Sequence, residues 1–163
     1  MLKVFSSFRE LNFPELMEVY AKSNMESGAE NWPNESEGMQ ILLAEQDFRQ
    51  YLREVFFMTP GAVYGVWMES GRYVSAMRLE PYRDGMLLEA LETAPDFRRR
   101  GYAGKLIREF AANHFGKIYS HIHKRNHASI KVHLKCGFHK IADHAVYVDG
   151  SVSHNSSTYL LEI

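Results

Sequence analysis

Residues 86–115 change character twice, and that double change restricts the fold. Positions 86–93 read as a strand; from Gly101 onward, Ala103, Ile107, Phe110 and Ala111 share one broad face at helical spacing. Between these runs lies Thr93-Ala-Pro-Asp-Phe-Arg98-Arg99-Arg100-Gly101-Tyr102-Ala103-Gly104. Three successive arginines thus enter a small-residue turn where a strand ends and a helix begins. At a helix start the backbone N–H groups lack intrahelical partners and can converge on an anion. Gly101 allows close approach and left-handed torsions. Ala103 and Gly104 add little bulk, and guanidinium groups add charge-assisted bonds to phosphate. The alternative is a solvated basic turn whose glycines serve packing.

The surrounding elements predict one mixed α/β domain over residues 1–163. Upstream, 62–69 and 72–80 read as strands joined by a turn at Ser70-Gly71, and 81–85 as the turn into 86–93. Residues 2–8 form a candidate first strand, and Asn12-Phe13-Pro14 a helix start. The polar stretch 23–34, with Gly28 and Pro33, is compatible with helix or loop. A helix over 36–57 ends at Thr59-Pro60-Gly61. Downstream come a helix over 101–115 and a strand over 118–122. In 126–136 the alternation of Ile130, Val132 and Leu134 competes with a helix favoured by its Asn start and Gly137 stop. Strands over 138–148 and 158–163 flank a serine-rich loop at 149–157.

Composition removes several function classes. A chain of 163 residues that is 45% hydrophobic can bury a substantial core. With 19 basic and 20 acidic residues, the net charge of -1 argues against a dedicated nucleic-acid binder. Arg98–Arg100 lacks the wider basic and aromatic surround of an RNA site. The single cysteine, Cys136, excludes an intramolecular disulfide and a cysteine-rich zinc site. His121, His123 and His127 span a strand, a loop and a helix start without a metal motif, so no metal is expected. His121 reads either as structural or as lining an acceptor pocket. No run approaches the roughly 20 apolar residues of a membrane span. The N-terminus lacks the hydrophobic core of a signal peptide, and a soluble, cytoplasmic protein is expected.

Neither GxxxxGK[ST] nor GxGxxG is present. Instead, Arg98-Arg-Arg-Gly101-Tyr-Ala103 resembles the R/Q-x-x-G-x-G/A signature of the GNAT superfamily of N-acetyltransferases, with Pro95 ahead of it. Asn126-His-Ala-Ser-Ile130-Lys-Val-His133-Leu-Lys135-Cys-Gly137-Phe138 resembles the second block of that family, which commonly closes in Gly-Phe. The resemblance implies an α/β (α+β) fold with a mixed, mostly antiparallel sheet flanked by helices. It implies acetyl-CoA as acyl-donor cosubstrate, with direct transfer to a primary amine of a small molecule or a peptide amino terminus. A noncatalytic acyl-CoA-binding or regulatory domain is the alternative, and a homodimer fits the family. The cofactor would enter between the strand ending at Thr93 and the strand at 118–122. Backbone groups of Leu91, Glu92 and Thr93 would bond its pantetheine arm. Arg99, Arg100, Gly101, Tyr102, Ala103 and Gly104 would hold the pyrophosphate, reinforced by Arg98 or Arg99. Asn126 and Ser129 complete the implied cofactor set.

Acetyl transfer requires a neutral amine, a polarised carbonyl and a stabilised thiolate. Glu92, closer to the implied centre, is the preferred base and Glu89 its competitor. Their odd separation puts them on opposite faces of a regular strand, unless a bulge typical of the family intervenes. His133 stands where the family often carries a tyrosine acid, and its imidazolium would offer a proton to the leaving thiolate. Cys136, at a helix end, reads as packing rather than as a nucleophile. The acceptor region is expected within 24–38 and 149–157. There Glu26, Glu30, Glu35, Glu37 and Trp32 either attract an amine or form a solvated hinge.

Overall fold

A computed structural model describes residues 1–163. The alternating central runs form a meander of β2 (Val63–Glu69), β3 (Arg72–Tyr82) and β4 (Gly85–Thr93). With β1 (Leu2–Phe5), β5 (Lys117–His123), β6 (His139–Ala142) and β9 (Ser156–Glu162), they build a seven-stranded sheet ordered β1-β2-β3-β4-β5-β9-β6. Every pairing is antiparallel except β4 with β5. That parallel pair requires a crossover, which α4 (Tyr102–Ala112) supplies. The sheet is therefore mixed and mostly antiparallel, as the resemblance implied.

Helices cover both faces. On one side lie α1 (Phe13–Val19), α2 (Ala21–Asn31) and α3 (Glu37–Tyr51). Leu16, Val19 and Tyr20 meet Tyr64, Val66 and Ala76 there, together with Leu52 and Phe56. On the other side, Leu106, Ile107 and Phe110 of α4 pack on Met77, Leu79, Leu88, Ile118 and Ile122. Ile130 and Val132 of α5 (His127–Lys135) border that second cluster. No helix is long and apolar enough to cross a membrane.

Several boundaries differ from the sequence reading. The stretch 23–34 is largely helical: α2 begins at Ala21 and ends just before Trp32-Pro33. A Cβ at Gly28 would fall 2.4 Å from the Gln40 carbonyl oxygen, so this glycine allows α2 and α3 to touch. The helix expected over 36–57 starts at the Ser36 cap, whose Oγ accepts from the Met39 N–H at 3.2 Å. Its final turn widens into a π-helix over Leu52–Phe56. The Phe57 N–H reaches back to the Leu52 carbonyl, and Leu52 and Phe56 are both fully buried. β3 runs through Pro81, shortening the turn expected over 81–85 to Arg83-Asp84. Pro81 is tolerated because the β2 pairing ends opposite Leu79, so no neighbour there needs its missing N–H. The strand expected over 138–148 is broken. β6 pairs with β9, while β7 (Ala145–Val146) turns into a hairpin with β8 (Val152–Ser153) inside the expected loop.

Candidate functional site

β4 and β5 are paired only from Gly85↔Lys117 to Leu88↔Ser120. Beyond that point β4 continues along β3 alone, leaving the far edge of Glu89–Thr93 without a strand neighbour. A bulge accompanies the separation. Arg78 faces Glu89 and Ala76 faces Glu92, so Ala90 and Leu91 together oppose Met77. Ala90 adopts φ 50°, a left-handed torsion that a non-glycine residue adopts only at a cost. A buried tyrosine pair holds it: Tyr64 donates to the Tyr20 hydroxyl at 2.8 Å, and Tyr20 donates to the Ala90 carbonyl at 2.6 Å. Tyr20→Phe should remove the only side-chain donor to that carbonyl and orphan the Tyr64 hydroxyl. The expected loss is about 1–3 kcal/mol of stability by urea denaturation.

The bulge also changes parity. Arg78 and Ala76 lie two apart on β3 and share a face, so their partners Glu89 and Glu92 share it too. The opposite-face placement of a regular strand does not apply here, and both carboxylates point toward the side covered by α1–α3.

After Thr93 the chain makes a short 3₁₀ turn over Pro95–Phe97 and reaches the arginines. Arg98 turns back: its Nε donates to the Thr93 carbonyl at 3.0 Å, and Nη2 stands 4.0 Å from Glu92 Oε2. Arg99 has φ 62° and Gly101 φ 79°, which bends the chain into α4 with no side chain capping the helix. The first N–H groups of α4 are therefore free for an external acceptor.

These elements surround a cavity of about 660 Å³. Its strand wall is Leu91, Glu92 and Thr93; its far wall is Arg98, Arg99, Gly101, Tyr102, Ala103 and Gly104. Asn126 and Ser129 of the second sequence block close one side, with Ala128 and Val132. Asn126 Oδ1 caps α5 by accepting from the Ser129 N–H at 3.2 Å. Lys22, Ser23 and Glu26 of α2 complete the opposite side. The sequence reading passed over Lys22 and Ser23, although the spacing of Lys22 and Glu26, paired here at 3.8 Å, is that of one helix face.

Three sequence-selected residues do not line this cavity: Arg100, Glu89 and His133. Arg100 stacks on Phe97 instead, 5.4 Å from the ring centroid. His133 is 1% exposed and faces the core. Its Nδ1 lies 2.8 Å from the Ser129 carbonyl, which can only accept, so Nδ1 carries the hydrogen. Nε2 then accepts from Ser120 Oγ at 3.0 Å, while the ring meets Phe138 edge-on. Burial pushes the imidazole pKa down, so the ring is held neutral with both nitrogens occupied. Cys136 lies between α4 and α5, 3.7 Å from the Gly104 carbonyl, and burial pushes its thiol pKa up.

Glu89 sits at the apex of the strand separation. Burial raises its carboxyl to about 7, against the pull of Arg78, and Glu80 raises it further. Arg78 lies over the Tyr51 ring at 4.8 Å. Burial also raises Glu92, opposed by Ser23 and Arg98. Burial, together with Arg83, lowers His121 to about 4. Solvent-shielded side-chain atoms without a hydrogen-bond partner concentrate here: Arg78 Nε, Glu89 Oε2, Glu92 Oε2 and both ring nitrogens of His121. Each such atom costs about 1–3 kcal/mol unless a water or a ligand meets it, and all of them lie on one side of one sheet. No group of three or more His, Cys, Asp or Glu side chains is placed to hold a metal ion.

The fold is shared with solved acetyltransferases. An acetyltransferase from Streptococcus agalactiae superposes with a TM-score of 0.65 at 18% identity, over 99% of this chain and 98% of its own. PaiA N-acetyltransferase from Thermoplasma acidophilum, solved with coenzyme A, gives 0.62 at 11% identity, over 100% and 99%. Spermidine N-acetyltransferase from Vibrio cholerae, solved with CoA and spermine, gives 0.61 at 16% identity, over 98% and 94%. No curated protein sequence matches the chain significantly. The sequence profile of the Acetyltransferase (GNAT) family matches residues 13–138, which takes in the strand separation, the arginine turn and the Asn126–Phe138 block, and the chain belongs to that family.

Proposed function

We propose that the protein transfers the acetyl group of acetyl-CoA to a primary amine of a small molecule or a peptide amino terminus. The observation that carries this reading is the cavity at the strand separation, where the unpaired edge of Leu91–Thr93 meets the uncapped start of α4. A pantetheine arm is a chain of amides and needs a strand-like edge to bond. A pyrophosphate needs converging N–H groups and cations, which Gly101–Gly104 with Arg99 offer. The structural relatives solved with coenzyme A support the same donor.

Transfer then proceeds by direct attack. A carboxylate takes one proton from the acceptor ammonium, and the freed nitrogen lone pair attacks the acetyl carbonyl carbon. A C–N bond forms, the C–S bond breaks, and the second amine proton leaves with the thiolate as CoA thiol. Glu89 suits the first task better than Glu92. Burial raises its carboxyl to about 7 even against the pull of Arg78, whereas the rise that burial causes at Glu92 is opposed by Ser23 and by Arg98. His133 is left out of proton transfer, since both its nitrogens are occupied in the core. It serves to tie α5 to β5, which positions Asn126 and Ser129.

The purified chain should release CoA thiol from acetyl-CoA in an amine-dependent way, with the acceptor gaining the mass of one acetyl group. Tight CoA binding without turnover on any amine or peptide would instead favour the noncatalytic binding domain. Absence of saturable CoA binding would reject both readings.

A further inference from the structure

We propose that His121 and Glu89 form the two sides of the seat for the acceptor's amine, and that this seat selects a protonated primary amine. The inference rests on the acetyltransferase reading and adds to it the residue that holds the nucleophile.

The register places both residues. Leu88↔Ser120 is the last pair before the strands part, and Glu89 and His121 are the next residues on each side. Leu87 and Tyr119 are paired on one face, and Glu89 and His121 lie two positions further on, so they share that face. They therefore flank the apex of the opening, on the side away from α4.

The chemistry of each side is complementary to an ammonium. His121 is gripped edge-on by Tyr82 and Tyr147, with ring centroids 5.5 and 5.1 Å away and interplanar angles of 85° and 83°. That grip fixes the plane of the imidazole, yet neither nitrogen has a partner in the protein. A neutral imidazole offers one acceptor and one donor. Its basic nitrogen can hold a substrate N–H while Glu89 Oε2, equally unpartnered, takes the proton. The charges around the seat are Glu80 and Arg78 from β3, Glu89 from β4 and Arg83 from the β3–β4 turn, with Tyr51 from α3 beside Arg78. Arg78 offsets one of the two carboxylates, and an arriving ammonium supplies the cation the other lacks. Burial, helped by Arg83 stacked on Tyr82 and Tyr119, keeps the imidazole neutral, so that His121 accepts from the amine instead of repelling it.

The test uses the whole chain, acetyl-CoA and four probes: butylamine, tyramine, spermidine and a tripeptide with a free amino terminus. His121→Phe should lower kcat/KM for the best amine by about 10- to 100-fold, with acetyl-CoA affinity by calorimetry unchanged. His121→Asn or His121→Gln, whose amide oxygens replace one ring nitrogen or the other, should recover part of the loss. Which of them does so identifies the nitrogen that faces the amine. A His121→Phe protein that binds acetyl-CoA and keeps wild-type kcat/KM would overturn the seat and leave His121 a packing residue. So would equal losses in the Phe, Asn and Gln variants. A wild-type chain that releases no thiol with any of the four amines would reject the parent reading, and the seat with it.

Discussion

Glu89→Gln is expected to lower kcat for amine acetylation by about 10²- to 10⁴-fold, the usual contribution of a positioned base. Acetyl-CoA affinity should be unchanged, because Glu89 does not line the cavity proposed for the donor. The sign of the pH dependence follows from its environment. Burial raises the carboxyl to about 7, so below that pH the group is already protonated and cannot take the proton of the ammonium. The wild-type kcat/KM for the amine should therefore fall as pH drops through about 7, and the Gln variant should lose that limb. A pH–rate profile measured at saturating acetyl-CoA over a range of amine concentrations, from which kcat and kcat/KM are both taken, reads both effects. If the Gln variant keeps both rate and profile while Glu92→Gln loses them, the base is Glu92. The bulge makes this a real contest, since it turns both carboxylates to the same face.

Gly85→Ala is the substitution with the largest expected effect on folding. A Cβ there would fall 2.1 Å from the Lys117 carbonyl oxygen and 2.8 Å from its carbon. These are backbone atoms of the neighbouring strand, so no side-chain rotation relieves the clash. Gly85 and Lys117 open the parallel β4–β5 pairing, whose other end sets the apex of the cleft. We expect a loss of about 3 kcal/mol by urea denaturation, at the upper end of the usual cost of overpacking. Any folded fraction should also bind acetyl-CoA more weakly, because the strands would have to separate from their start. Wild-type stability in the variant would mean that the strands shift apart without cost.

The arginine-turn side of the cavity was largely legible in the sequence. Arg98, Arg99, Gly101, Tyr102, Ala103 and Gly104 line the cavity together because a strand-to-helix turn is a local structure. Its free N–H groups follow from helix geometry and its left-handed corner from a glycine. Asn126 capping α5 is likewise a short-range bond, to a residue three positions on. Arg100 missed the cavity because its guanidinium finds the Phe97 ring within the same turn. The β7–β8 hairpin was not legible, since strands of two residues are too short to show a period.

The placement of the candidate proton-transfer residues was not legible in the same way. His133 matched its position in the block, yet its neighbours Ser120 and Phe138 turn it into the core. Nothing near Ala90 in the chain announces a left-handed torsion. It is held by a hydroxyl 70 residues away in sequence, itself fixed by Tyr64 of β2, two strands across the sheet. That contact flips the parity of β4 and brings Glu92 to the face of Glu89. The sequence alone was enough for the family, the order of the main elements and the strand-to-helix turn at the arginines, because those depend on motifs, on periodicity and on bonds between near neighbours. The facing of Glu89, Glu92, His121 and His133 was settled in the folded chain, because strand parity and core packing depend on partners that meet only there.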